Sequence, residues 1–169
     1  MNQIIENSYI KTISFRTYQE ANTYVGNHEA VNILALDETY GCYRYCCVGY
    51  HSLTKEKQYI ISFSSDYSEE ELSLLHWGSL LVLNNGKTVY LIDDGQRVKA
   101  AFDLTTPLVG LFLISNDKLL VLEVAYLRVV DCNGDVVQAE LFDLIEEFSI
   151  DNGVLSIKTG EGSRLIDLN

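Results

Sequence analysis

Basic side chains are scarce in this sequence: 12 Lys and Arg stand against 24 Asp and Glu among 169 residues, a formal net charge of -12. Phosphate backbones and anionic lipid surfaces are held largely by Lys and Arg, so the balance argues against nucleic-acid and membrane-surface partners. Long apolar runs are also missing. The longest, Leu108 to Ile114, suits a buried strand and falls far short of the roughly 20 residues that span a bilayer. The opening MNQIIENSYIK has neither the basic region nor the apolar stretch of a secretory signal. Cysteine is limited to Cys42, Cys46, Cys47 and Cys132, too few for a disulfide framework and including an adjacent pair that geometry keeps from bonding to itself. Reduced thiols and a cytoplasmic location are expected. Histidine is limited to His28, His51 and His76, and no G-x-S-x-G elbow occurs, so nucleophilic catalysis has no sequence support.

What is present is apolar residue in quantity, 47% of the chain, enough for a buried core in one domain or two small ones. The acidic excess is spread evenly, with 5 basic and 10 acidic residues in 1–77 and 7 and 14 in 78–169. Solubility is its plainest meaning. Nine of the eleven tyrosines lie before residue 68. The halves therefore differ in character, and a subdomain boundary is expected near Trp77-Gly78, without a Pro- or Ser-rich linker, dividing the chain into 1–77 and 78–169.

The pattern predicts an α+β protein that is predominantly antiparallel β. Ser8 to Phe15 alternates as a first strand, with Ile10 out of phase with Ile13 and Phe15. A short helix follows over about 17–25, with Thr17 as N-cap, Glu20 closing a capping box and Gly26 as the stop. Ala30 to Leu36, Cys42 to His51 and Gln58 to Ser64 read as strands, with a turn at Asp37 to Gly41. A second Ser-x-x-Glu box, Ser68 to Glu71, predicts another short helix over about 68–77, with Leu72 and Leu75 at helical spacing.

From Gly78 onward the apolar runs are separated by turns. Asn85-Gly86, Asn116-Asp117 and Asn152-Gly153 are each expected to form two-residue type I′ hairpins, since Asn, Asp and Gly tolerate the positive φ these need. Asp94-Gly95 and Asn133-Gly134 add two more turns. Val89-Tyr90-Leu91-Ile92-Asp93-Asp94-Gly95 and Leu127-Arg128-Val129-Val130-Asp131-Cys132-Asn133-Gly134 share a rhythm of strand, Asp and Gly. In this rhythm residues 78–168 resemble the blade hairpins of β-propellers of the WD or kelch type. The resemblance implies three or more hairpins in a half-propeller or meander, because 92 residues are too few to close four blades of about 40 residues each.

Fragments that suggest ion or phosphate sites have simpler explanations. Cys42, Cys46, Cys47 and His51 are spaced C-x3-C-C-x3-H with no second knuckle, and strand alternation sends them to opposite faces, so buried structural cysteines are expected and no metal or other cofactor. Asp131 to Asp135 starts like a calcium loop, but Val136 and Phe142 stand where Gly and Glu are needed. Thr159 to Arg164 lacks the Lys and helix of a phosphate loop.

The candidate binding surface is aromatic. In Tyr40 to His51, alternation puts Cys42, Arg44, Cys46, Val48 and Tyr50 on one face and Tyr43, Tyr45, Cys47 and His51 on the other. If the Val48 face is the core, Tyr43 and Tyr45 stand outward, as Tyr and Arg do at interface hot spots. Alternatively the tyrosines cover the first helix. Tyr40, Tyr43, Arg44, Tyr45, His51 and Trp77 are the residues assigned to binding. Three functions fit: a non-enzymatic acidic module binding a basic protein, such as an immunity protein or antitoxin; a small-molecule enzyme or binding domain with its site between the halves, using His51, His76, Glu71 and Asp93; or a structural subunit that completes a larger β assembly through an open sheet edge.

Overall fold

The structure, a computed structural model, describes residues 2–5, 8–28, 31–36, 41–93 and 96–168. Two compact units divide the chain, Met1–Phe102 and Asp103–Asn169, and the Trp77-Gly78 step falls inside the first.

The first unit opens with β1 (Asn2–Ile5), β2 (Ser8–Phe15), helix α1 (Tyr18–Gly26), β3 (Asn32–Ala35), β4 (Tyr43–His51) and β5 (Lys57–Ser65). The strands form one sheet in the order β1-β2-β4-β5-β3, antiparallel except where β3 runs parallel to β5. The helix starts as the capping signal requires. Thr17 is extended at φ -135 and ψ 153, and its hydroxyl accepts from the Glu20 amide, while the Glu20 carboxylate accepts from the Arg16 amide. One face of the sheet buries Cys46, Val48 and Ile60 with Ile13, Phe15 and the α1 residues Tyr24 and Val25. The opposite face buries Ile10, Tyr45, Cys47, Ile61 and Phe63 with Leu74, Leu81, Leu83, Tyr90 and Ile92 of the next sheet. The phase conflict between Ile10 and Ile13 disappears because both faces are core.

That next sheet contains β6 (Ser73–Trp77), β7 (Leu80–Asn84), β8 (Thr88–Asp93) and β9 (Arg97–Asp103), in sequential order. Here the predicted helix over 68–77 is corrected. The Ser68 box does form, with the Ser68 amide and hydroxyl both bonded to the Glu71 carboxylate at 3.0 and 2.8 Å and the Glu71 amide bonded to the Ser68 carbonyl. It closes a turn. Leu72, Leu74, Leu75 and Trp77 fit a period of 2 as well as 3.6, and pairing with β7 from Ser73↔Asn84 to Trp77↔Leu80 satisfies the backbone while burying Leu72 and Leu74 in the core.

The second unit holds β10 (Leu108–Leu113), β11 (Lys118–Glu123), β12 (Tyr126–Asp131) and β13 (Val136–Leu141) in a four-stranded antiparallel meander, then β14 (Ile145–Asp151), β15 (Val154–Thr159) and β16 (Gly162–Asp167) in a three-stranded one. Leu120, Leu122, Leu127 and Val129 of the first sheet pack with Leu155, Ile157 and Ile166 of the second. The α+β class, predominantly antiparallel with hairpin meanders, is what the sequence predicts, with one helix in place of two among the described residues.

Only one of the three Asn-centred turns is the two-residue form expected. Asn152 and Gly153 have φ 50 and 76 and join Asp151 directly across from Val154. Asn85-Gly86-Lys87 is a three-residue link whose Asn85 side-chain oxygen accepts from the Lys87 and Thr88 amides, with φ 93 at Gly86 alone. Ile114 to Asp117 is a four-residue link with no positive φ, held by Ser115 Oγ donating to Asp117. Asparagine satisfies turn backbones through its side chain as readily as through a left-handed φ, so the dipeptide alone does not fix the loop length. Asp94-Gly95 and most of the Asp37 to Gly41 turn lie outside the described residues.

Candidate functional site

The tyrosine strand β4 is mostly interior. Tyr45 is 2% exposed, stacks on Phe63 at 5.4 Å and donates its hydroxyl to the Tyr67 carbonyl at 2.8 Å. The expectation that Tyr45 stands outward is therefore corrected, and so is the expectation that it covers the helix, because α1 lies on the other face. Both fail for one reason: a sheet covered on both sides has no solvent face to present. Tyr43, two residues toward the strand end, is 46% exposed. Arg44 is half-buried, donates to the carbonyls of Gly41 and Tyr43, and lies 5.8 Å from the Tyr18 ring centroid. His51 closes the far end of the strand, eight residues from Tyr43, where its amide bonds to Glu56 and its carbonyl to Lys55. Trp77 is 3% exposed at the end of β6. Tyr40 lies outside the described residues. Tyr43 and Arg44 thus share an exposed strand end with Tyr18, while Tyr45 and Trp77 are buried and His51 is at the opposite end.

The side chains suited to catalysis are spread over separate local structures. Glu71 holds the Ser68 turn, Asp93 pairs with Arg97 at 2.7 Å, and His51 Nδ1 lies 3.4 Å from the Thr54 amide. The ring of His76 is half-buried, its Nε2 is sealed without a hydrogen-bond partner, and burial lowers its pKa below the ordinary 6.5. Cys46 and Cys47 lie on opposite faces of β4, and burial pushes their thiols up to about 12 and about 11, so neither is a ready nucleophile at neutral pH. Among the described residues, no three His, Cys, Asp or Glu side chains are grouped to hold a metal ion. The calcium-like segment is a hairpin turn in which the Asp131 carboxylate accepts from the Asn133 and Asp135 amides, bonds that lower its pKa. The phosphate-like segment is the β15–β16 turn, with Thr159 Oγ1 accepting from the Glu161 amide.

The second unit carries what the sequence reading missed. Residues 103–169 contain 12 Asp and Glu against 4 Lys and Arg, a net charge of -8, and the remaining -4 belongs to residues 1–102. All four cations are engaged: Arg128 with Glu123, Lys158 with Glu147, Arg164 with Glu140, and Lys118 with the Leu168 carbonyl. Counting charge by the structural units, rather than by halves divided at Gly78, turns an even spread into a concentrated one. Glu123 is fully buried and also accepts from the Thr105 and Thr106 amides at 2.6 Å, while Arg128 donates to the Asp103 carbonyl at 3.1 Å. This pair fastens the segment entering the unit to the β11–β12 hairpin.

Sheets of four, four and three strands in sequential order resemble the hairpin blades of β-propeller-type proteins. Among solved structures the chain is similar to BamB from Moraxella catarrhalis, with a TM-score of 0.54, 11% identity, and 81% of this chain aligned to 50% of that one. It is similar also to BBS1N in complex with ARL6DN, with a TM-score of 0.50, 14% identity, and 75% of this chain aligned to 47% of that one. Hsv2 from Kluyveromyces lactis aligns with a TM-score of 0.49 at 12% identity, over 80% of this chain and 44% of its own. The chain spans about half the length of the structures it matches. No protein-family model and no curated protein sequence matches it.

Proposed function

We propose that this chain is a non-enzymatic protein-binding subunit whose propeller-type sheets form part of a larger β assembly. The observation that carries the reading is the set of successive antiparallel meanders that align with about half of propeller-type proteins. A complete propeller leaves only short, protected edges, so a chain that supplies part of such an assembly presents unpaired edges that other chains can cover. BBS1N, similar in fold, is in complex with ARL6DN, so a propeller-type chain of this architecture does hold a protein partner. The dispersal of His51, His76, Glu71 and Asp93 over separate local structures favours binding over chemistry as the role.

A basic partner is the finer form of the proposal. The -8 charge of the second unit, with three of its cations ion-paired and Lys118 bonded to the Leu168 carbonyl, steers association toward a positive surface. An inhibitor of the immunity or antitoxin type is a narrower version that adds only small size to the charge argument.

The test is the mass of the protein purified under native conditions from its own cell. Size-exclusion chromatography with light scattering should give a stoichiometric complex that re-forms from its purified components. Recovery solely as a 19.1 kDa monomer would sink the proposal.

A further inference from the structure

We infer that the open edge of β16 is a docking site for one extended, basic segment of another polypeptide, which adds as the fourth strand of the last sheet. The inference rests on the subunit reading above and assigns it a site.

Among the described residues the β6–β9 and β10–β13 sheets each have four strands in sequential order and the β14–β16 sheet has three, and the next position in that order is the unpaired side of β16. Edge geometry agrees. Sheet edges are normally blunted by bulges, Pro or Lys, and in this unit the edge strands β10, β13 and β14 each pair through a register shift, at Leu108/Gly110, Val129/Val130 and Ile145/Glu147. β16 pairs with β15 through all six of its residues without a shift, has neither Pro nor Lys, and its one basic side chain, Arg164, is bonded to Glu140 at 3.2 Å.

The phase of its hydrogen bonds is set by the Leu168 amide, which donates to the Gly153 carbonyl at 2.8 Å. Alternation then turns the amides of Arg164 and Ile166 toward β15 and those of Ser163 and Leu165 toward the open side. Leu165 is 76% exposed, the most exposed large apolar side chain in the unit.

Side-chain rows decide the occupant. Leu165 continues the row Ser149–Ser156, and Asp167 continues the row Asp151–Val154. A strand beside β16 therefore meets an apolar position opposite Leu165 and an acidic one opposite Asp167, and cross-strand pairs of matching character stabilise a sheet. A Lys or Arg two residues from an apolar residue fits. A second copy of this chain would instead bring one unit of net charge -8 against another.

The probe is a short synthetic peptide of alternating valine and threonine with terminal lysines, compared with its counterpart carrying glutamates. Amide exchange read by NMR should show Ser163 and Leu165 exchanging fast in the free protein and at least tenfold slower with the lysine peptide. Protection of these amides in the free protein would mean that a second copy, or residues of this chain beyond Asn169, already fills the place, and would overturn the inference. Leu165→Pro removes an outward amide and the exposed leucine side chain but no bond to β15, so it should leave the circular dichroism spectrum unchanged and weaken peptide binding at least tenfold. Leu165→Lys, which keeps the amide and adds repulsion, should weaken it as well. Equal binding by both variants, or by the glutamate peptide, counts against the edge. If the native complex forms undiminished with Leu165→Pro, the edge is not the site and the subunit reading stands. If no native complex exists, that reading falls independently of β16.

Discussion

Glu123 and Arg128 are the side chains on which most depends, because a buried charge without its partner is far costlier than an exposed one. Glu123→Ala removes the counter-ion of the buried Arg128 and frees the Thr105 and Thr106 amides. It should destabilise the protein by about 3–5 kcal/mol in chemical denaturation, whereas loss of the exposed Lys158–Glu147 pair should cost about 0–1 kcal/mol. Titration provides a second check. His76 is held below its ordinary pKa of 6.5 by burial, so the unfolded chain binds the proton first. Stability should hold above about 6.5, fall as pH drops through that value, and level off below the folded-state pKa. His76→Phe should reduce that decline. The lowered carboxylates of Glu71 and Asp131 act in a separate window, losing their contribution only below their ordinary values of 4.5 and 3.8. Thiol reactivity follows from the same burial: Cys42 and Cys132 are exposed and should react promptly with a disulfide reagent, while Cys46 and Cys47 should react only on unfolding.

Among the elements, the Asn85–Lys87 link does more than reverse the chain. The Ser65 hydroxyl donates to the Asn85 carbonyl at 2.6 Å, and Gly86 approaches Tyr67 so closely that a Cβ would fall 1.9 Å from the ring. The turn thereby ties the end of β5 to the β7–β8 hairpin. Gly86→Ala meets both a φ of +93 and the ring, while Gly78→Ala meets a φ of +59 and open space. Denaturation should show Gly78→Ala costing about 1–2 kcal/mol, the ordinary left-handed penalty, and Gly86→Ala more. The α1 helix was legible because Thr17, Glu20 and Gly26 act within one turn of their own backbone. The helix expected over 68–77 was not, since Ser68 and Glu71 make the same local bonds in a turn, and only β7 decides what Leu72 to Trp77 do next. The interior position of Tyr45 was equally hidden, because alternation names two faces without saying how many are covered.

At the scale of the whole molecule, protection from exchange should grade from edge to centre. β7, β8, β11 and β12 are buried along most of their length and should exchange slowest, with β13 and β16 fastest. Comparable protection in all strands would contradict the sheet orders. The sequence by itself determined the β-rich class, the first helix, the run of hairpins and the acidic character, since these follow from short-range periodicity, capping and composition. Tertiary structure alone decided that β4 is covered on both faces, that Ser68 to Trp77 becomes a turn and a strand, where one unit ends and the next begins, and that β16 is left as a smooth edge. Those outcomes depend on which distant segment arrives to pair or pack, and a local pattern compatible with two partners cannot choose between them.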